Sequence, residues 1–319
     1  MPEAAVRWGI LGTGSINDRF LVGARLADSV DIVAVGSRTP SRAAAFAERH
    51  GIGRAHGSYD ELLADPQVEA VYITLPNTLH HEWTLRSLAA GKHVLSEKPY
   101  SRHPAEVDEA FDAAERAGLV LSEAFMWRHH PQVGRLLDSL PAIGSLEAIR
   151  ATFSYVQEGA ADIRLRPDLD GGSLMDVGCY CVSGARVVAG EEPDIVHGVA
   201  FAGPSGVDLR FSGLLRFPGG LVAEFTCGFT SDHHTLEAIG SAGSVRLTNP
   251  WMSGPASIVR DGVETELDGD NFYKLELEDF GRAVRGGRPP LLGRADALGQ
   301  ARALDGLLRS AATGQPVRL

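Results

Sequence analysis

Val6-Arg-Trp-Gly-Ile-Leu-Gly12-Thr13-Gly14-Ser15-Ile16-Asn17 decides how the rest of the chain is read. A short strand-like run ends at Gly12, a glycine-spaced turn follows, and a helical pattern opens near Ile16. That order suits a dinucleotide pyrophosphate. Gly12 permits the tight turn, Gly14 lets the backbone approach the phosphates with no Cβ in the way, and the helix N-terminus offers unpaired N–H groups and positive dipole. Asn17 stands where the third glycine of the fingerprint belongs. A bare Gly-x-Gly also occurs in ordinary turns; the strand before it and the helix after it favour a nucleotide site. Gly12, Thr13, Gly14, Ser15 and Ile16 are the candidate pyrophosphate contacts.

Outward from this stretch, Ile16 to Leu26 reads as a helix and Asp31 to Val35 as a second strand. An enzyme using the unphosphorylated cofactor usually places an acid at the far end of that strand, on the ribose hydroxyls. Asp31 lies at its start, more than about 12 Å from that end. The tip itself is Gly36-Ser37-Arg38-Thr39, with Arg42 one turn into the next helix. Hydroxyl and guanidinium groups suit a 2′-phosphate, so Ser37, Arg38 and Arg42 predict NADP(H), with NAD(H) as the second choice; the plain alternative is a pair of surface arginines.

The alternation continues. Helices are expected from Pro40 to His50, after the Ser58-x-x-Glu61 capping box, from His81 to Ala90 and from Pro104 to Ala117, with strands at Ala70 to Leu75, His93 to Ser96 and Leu119 to Ser122. This βαβ series predicts an α/β fold with a doubly wound parallel sheet over residues 1–125. Beyond it the rhythm changes. After a helix from Pro131 to Leu140 come longer strands at Ser145 to Tyr155, Asp208 to Phe217 and Leu221 to Phe229, with Leu209, Phe211, Leu215 and Phe217, then Ala223, Phe225, Cys227 and Phe229, alternating inward. Residues 126–319 therefore read as an α+β domain for substrate and oligomerisation, built on a large, mostly antiparallel open sheet. Its open face predicts a homodimer or homotetramer. Two amphipathic helices, marked by Leu277, Phe280 and Val284 and by Leu298, Ala301, Leu304 and Leu308, close the chain and are candidates to pack back on the first domain.

Composition narrows the function. A net charge of −11 argues against a nucleic-acid partner, which needs clustered cations. No run approaches the roughly 18 apolar residues of a membrane span. The opening Met-Pro-Glu-Ala-Ala is neither basic nor followed by a signal-like apolar run, so a cytoplasmic location is expected. Cys179, Cys181 and Cys227 lack zinc-site spacing and read as buried thiols. The adjacent pairs His80-His81, His129-His130 and His233-His234 have diverging side chains, so no metal site is expected.

Lysine is scarce: Lys92, Lys98 and Lys274 are the only three among 30 basic residues. Lys98 falls just past a parallel strand, on the sheet edge where ligands sit, and Pro99 restrains the backbone there. A solvated surface lysine is the bland alternative. Asp176 and Tyr180 are four residues apart in Gly171-Gly-Ser-Leu-Met-Asp-Val-Gly-Cys-Tyr180, a spacing that puts both on one helix face. A phenol is a poor base near neutrality until a cation stabilises its phenolate, and Lys98 is the candidate cation. Tyr180 would then exchange a hydroxyl proton while Asp176 binds substrate hydroxyls or orients Lys98. Taken alone, the stretch reads equally well as a core Tyr and a helix-capping Asp.

Gly12-Thr-Gly-Ser-Ile16, Pro76-Asn77-x-x-His80, Gly91-Lys-His-Val-Leu-Ser-Glu-Lys-Pro99 and Gly171-Gly-x-Leu-x-Asp-x-Gly178 together resemble the glucose-fructose oxidoreductase, inositol dehydrogenase and rhizopine catabolism (Gfo/Idh/MocA) family. Most members carry His where this chain has Tyr180. Tyr there, with Glu123-Ala-Phe-Met-Trp127-Arg128-x-His-Pro131, is similar to the subgroup containing trans-1,2-dihydrobenzene-1,2-diol dehydrogenase and NADP-dependent D-xylose dehydrogenase. The resemblance implies a Rossmann domain, a sheet that forms dimers, a Lys98–Tyr180 catalytic pair with Asp176 nearby, and cofactor contacts from Leu75, Pro76, Asn77, His80, Glu97, Trp127 and Arg128. It implies hydride transfer between nicotinamide and a carbinol or carbonyl of a sugar, polyol or cyclic diol. Two rivals on the same fold are an NAD-dependent glycosidase and a non-catalytic cofactor-binding regulator. The loop Asp162-Ile-Arg-Leu-Arg-Pro-Asp168 has no assigned counterpart and is expected to shape substrate choice.

Overall fold

A computed structural model describes residues 4–159 and 162–319. The first three residues of the amino-terminal stretch, read above for targeting signals, lie outside the described residues. Two compact units emerge: residues 4–129 with Asp270–Leu298, and His130–Gly269 with Gly299–Leu319.

In the first unit, β1 (Val6–Leu11), β2 (Val30–Gly36), β3 (Arg54–His56), β4 (Ala70–Ile73), β5 (His93–Glu97) and β6 (Leu121–Ala124) form a sheet ordered β3-β2-β1-β4-β5-β6. All its pairings are parallel. The order reverses at β1, so the crevice at the carboxyl ends of β1 and β4 is the topological switch point where ligands bind in such sheets. Every residue of β4 is buried, the pattern of a strand covered on both faces. Five helices intervene: α1 (Ile16–Leu26), α2 (Pro40–His50), α3 (Tyr59–Leu63), α4 (His80–Ala89) and α5 (Pro104–Ala117). At the start of α3, Ser58 Oγ accepts the Glu61 N–H at 3.1 Å, while the Glu61 carboxylate accepts from Gly57 rather than completing the reciprocal bond. β6 begins two residues later than expected because the Leu119 N–H is spent closing α5, bonding to Ala114 O at 2.9 Å.

The segment 270–298 belongs to this unit, so the chain passes between units three times instead of crossing one boundary near residue 125. Its helix α8 (Phe272–Val284) lies on α1. Gly23 makes that approach possible, since a Cβ there would stand 2.5 Å from Tyr273 Cβ. Phe280 packs on Trp8, ring centroids 5.0 Å apart, and Arg285 bonds Ala5 O at 2.8 Å and the Glu69 carboxylate at 3.1 Å.

The second unit opens with α6 (Pro131–Ser139) and holds a nine-stranded sheet of β7 (Leu146–Ser154), β8 (Ile195–Ala202), β9 (Asp208–Arg216), β10 (Val222–Gly228), β11 (His233–Gly240), β12 (Gly243–Leu247), β13 (Ala256–Arg260), β14 (Val263–Leu267) and β15 (Val317–Arg318). Within this sheet only β7 with β10 pairs in parallel among the described strands. One face is covered by α7 (Cys179–Ala189), most of whose side chains are buried, and Gly184 admits Trp251 to within 2.7 Å of where a Cβ would sit. On the other face Thr235, Thr152, Thr226, Ser212 and Val199 stand in one row across five strands. Val199 and Phe201 are 63% and 55% exposed there. The last helix, α9 (Arg294–Thr313), buries Ala301, Leu304 and Leu307, so its apolar stripe runs one position from the expected Leu308. Cys179, Cys181 and Cys227 are buried and form no disulfide among the described residues. No described helix is long and apolar enough to cross a membrane.

Candidate active site

The glycine turn joins β1 to α1 at the switch point. Gly12 has φ +111, a conformation that disfavours side chains, and a Cβ there would meet Thr74 Oγ1 at 2.7 Å. Gly14 is different: its nearest neighbour to a Cβ would be Thr74 O at an ordinary 3.7 Å, so the fold itself does not require glycine there. The space its missing side chain leaves is exposed, in front of a helix whose first turn has no side-chain cap. Asn17 braces the turn from inside, its amide donating to Gly12 O at 3.2 Å, Gly14 O at 3.0 Å and Thr74 Oγ1 at 3.2 Å. Its replacement of a glycine thus strengthens the turn. An exposed bare backbone before uncapped N–H groups fits a pyrophosphate.

At the tip of β2, Ser37 is buried and its N–H donates to His56 O at 3.1 Å, while Arg38 and Arg42 are exposed. Neither arginine forms an ion pair among the described residues. Both lie close enough to the half-buried Tyr59 to pull its phenol pKa down against the upward push of burial, the larger effect. Asp31 sits at the opposite end of β2, paired with Arg7 of β1, away from the tip.

Lys98 follows β5 directly, joined to Pro99 by a cis peptide. Its N–H donates to Glu97 Oε2 at 3.1 Å, and the other carboxylate oxygen of Glu97 accepts from the buried Tyr72 phenol. Of the remaining lysines, Lys92 is spent on Asp65 O and Val68 O at 2.9 and 2.8 Å, and Lys274 pairs with Asp270. His80 is 1% exposed, its ring nitrogens 3.0 Å from Pro99 O and 2.8 Å from Leu75 O. Burial lowers its pKa, so near neutrality the neutral ring has one N–H to share between two carbonyls. His80 therefore ties the loop after β4, with Leu75, Pro76 and Asn77, to the Lys98-Pro99 turn. Trp127 is fully buried, and Arg128 reaches from beside it to Asp296 at 3.0 Å.

In the second unit, Leu174–Gly178 is a π turn that runs into α7. The i, i+4 alignment expected for Asp176 and Tyr180 is therefore loosened, because one of the two lies in the wider turn; π turns recur at functional sites. The cap of this helix is Asp208 on β9, whose carboxylate accepts the Leu174 N–H at 2.8 Å and the Ser173 hydroxyl at 2.6 Å. Asp176 is thus released from capping. Its Oδ2 accepts Tyr155 Oη at 2.8 Å and Arg164 Nε at 3.1 Å. Tyr180 is 6% exposed, edge-on to Phe153 and Trp251 with centroids at 5.2 and 6.1 Å. Sequence reasoning missed Asp208, Tyr155 and Arg164. Only Arg164 had a signal, in the unassigned loop. No group of three metal-ligating side chains occurs among the described residues, and the histidine pairs serve as braces: His130 Nδ1 accepts the Gln132 N–H that starts α6, and His129 faces Asp279 at 3.7 Å.

The first unit thus carries a glycine turn of the kind that holds a dinucleotide, and the second an ordered carboxylate and a buried phenol. Comparison with known proteins gives the chain a family. Residues 6–125 match the model described as oxidoreductase family, NAD-binding Rossmann fold, and residues 133–246 match the GFO/IDH/MocA C-terminal domain. The chain belongs to the Gfo/Idh/MocA oxidoreductase family. It is 37% identical to D-xylose 1-dehydrogenase (NADP(+)) 2 of Haloferax volcanii, over 98% of this chain and 99% of that one. With trans-1,2-dihydrobenzene-1,2-diol dehydrogenase of Sus scrofa it shares 37% identity over 82% and 80% of the two chains. The crystal structure of KijD10, a 3-ketoreductase from Actinomadura kijaniata in complex with NADP and TDP-benzene, superposes with a TM-score of 0.90 at 30% identity, covering 96% of this chain and 98% of that one.

Proposed function

We propose that this chain is an NADP(H)-dependent dehydrogenase or reductase acting on a CH–OH or carbonyl group of a sugar, polyol or cyclic diol. The observation that carries the reading is the pair of exposed guanidinium groups, Arg38 and Arg42, at the tip of β2, in a chain whose full-length relatives include an NADP-dependent sugar dehydrogenase. When bound, the nicotinamide supplies the hydride acceptor or donor. Gly12 to Ile16 would cradle the pyrophosphate and Ser37, Arg38 and Arg42 the 2′-phosphate, with Leu75, Pro76, Asn77, Glu97, Trp127 and Arg128 forming the rest of the nucleotide's surroundings. Tyr180 would pass the hydroxyl proton, the Lys98 ammonium would favour its phenolate, and Asp176 would accept a hydrogen bond from a neighbouring substrate hydroxyl.

A panel of aldoses, polyols and cyclic diols, followed by nicotinamide absorbance with each cofactor, tests this. Turnover with NADP+ is expected; release of nitrophenol from a nitrophenyl glycoside with no net cofactor change would favour the glycosidase, and no turnover in either assay the regulator. The open sheet face, with Val199, Phe201 and Leu214 exposed beside the Arg150–Glu224 pair, supports association with a second copy as a homodimer or homotetramer. Light scattering would show a monomer if that is wrong. Three buried cysteines joined in no disulfide among the described residues support a cytoplasmic setting, checked by cell fractionation.

A further inference from the structure

The loop Asp162–Asp168 is stitched to the glycine pair that precedes the π turn. Gly172 N–H donates to Arg164 O at 2.8 Å and Gly171 N–H to Arg166 O at 3.0 Å. A Cβ on Gly171 would stand 2.5 Å from Arg164 O, so this approach needs glycine. Asp162 fixes the loop's own geometry, accepting the Arg164 N–H at 2.8 Å and its Nη1 at 3.2 Å. The result is one guanidinium held between two carboxylates, with Nε at 3.1 Å from Asp176 Oδ2 and the Tyr155 hydroxyl on the same oxygen at 2.8 Å. The Asp176 side chain is 15% exposed, so without a cation its charge would be poorly solvated.

We infer that Arg164 is the positioning residue for Asp176, holding its carboxylate at a set angle so that this unit accepts hydrogen bonds from a neutral polyhydroxyl substrate and rejects an anionic one. The inference rests on the oxidoreductase reading above and names the substrate class. Two carboxylates to one guanidinium leave an excess of negative charge, which suits a hydroxyl donor and repels a carboxylate or phosphate at the same position. The neighbouring Asp176 is also the largest cause holding the Arg164 guanidinium in its charged form.

The test is steady-state kinetics of the full chain on the best neutral substrate of the panel and on the acid sugar of matching carbon skeleton. Arg164→Gln is expected to raise KM for the neutral substrate about tenfold or more while kcat changes little, since a charge-assisted contact is lost from binding. It should also narrow the gap between neutral and acid sugar. Arg164→Lys, which keeps the charge without the fork, should recover part of the loss. In an Asp176→Asn background the Arg164→Gln change should be nearly silent. Unchanged KM in a folded Arg164→Gln protein, additive losses in the double variant, or preference for the acid sugar by the wild type would overturn the inference. If Arg164→Gln does not fold, Arg164→Lys decides by the same KM criterion. Failure of the oxidoreductase reading itself registers separately, as no turnover by the wild type on any neutral substrate, and calorimetric binding of the neutral polyol to wild type and Arg164→Gln then decides the role of Arg164.

Discussion

The two units build chemistry in opposite ways. In the parallel unit the groups proposed to meet a ligand are backbone and strand ends: a glycine turn with no side chain at Gly14, a helix start with no side-chain cap, and Lys98 placed by the last residue of β5. In the nine-stranded unit they are side chains that hold one another, with Tyr155 and Arg164 on Asp176, Asp208 on Ser173 and Leu174, and Phe153 and Trp251 around Tyr180. A backbone site is invariant in shape and serves one shared cofactor. A site made of mutually braced side chains can be retuned one residue at a time, as substrate choice requires.

The largest effects should test whether both units contribute equally to turnover. Lys98→Ala and Tyr180→Phe are each expected to lower kcat by about two to four orders of magnitude with NADPH affinity nearly unchanged. Near-normal turnover in either would remove that residue from the mechanism. Next comes the backbone site: Gly12→Val forces a side chain into φ +111 and against Thr74, which should cost roughly 1–3 kcal/mol in denaturant unfolding and abolish cofactor binding. An intact dissociation constant would contradict the turn's assigned role. Arg38→Ala and Arg42→Ala should each weaken NADPH binding about tenfold in titration calorimetry and leave NADH binding unchanged, one charged contact apiece. Equal losses for both cofactors would make them generic surface charges.

The smallest expected effect concerns stability alone. Glu276, on α8 in the parallel unit, is buried with neither oxygen hydrogen-bonded, and burial followed by repulsion from Glu97 and Asp279 raises its pKa well above the usual value. The folded chain therefore holds this proton more tightly than the unfolded one. Its contribution is fully present below the ordinary carboxylate range and is lost as pH rises toward the folded value. Glu276→Gln should flatten the decline of Tm between about pH 5 and 8; an unchanged slope would mean the carboxyl is ionised in the fold.

The same contrast explains what could be read beforehand. The parallel unit is written in local signals: Pro40 and Gly51 bound α2, Pro104 and Gly118 bound α5, and the βαβ rhythm sets the sheet order. Lys98 was legible because its place depends only on where β5 ends. The bonds that set the π turn and Asp176 were not, since Tyr155 is 21 residues from Asp176 and Asp208 lies 35 residues beyond Ser173, and no periodicity links them. Segment 270–298 looked like any amphipathic helix; its place beside α1 depends on the complementary shape of Gly23 and Tyr273, which becomes visible only after folding. Strands β13 and β14 went unread because β14 exposes nearly its whole length and neither shows the inward alternation seen in β9 and β10.

The π turn at Leu174–Gly178 has a consequence for how this chain tolerates change. A residue deleted there would not merely shorten the helix. Each helical position carries about 100° of rotation, so a one-residue loss would rotate the upstream carboxylate by roughly that angle relative to the phenol downstream, like a misindexed gear. Insertions and deletions at this point are consequently a route by which a lineage could lose or redirect its substrate in a single event, leaving the fold and its nucleotide turn intact.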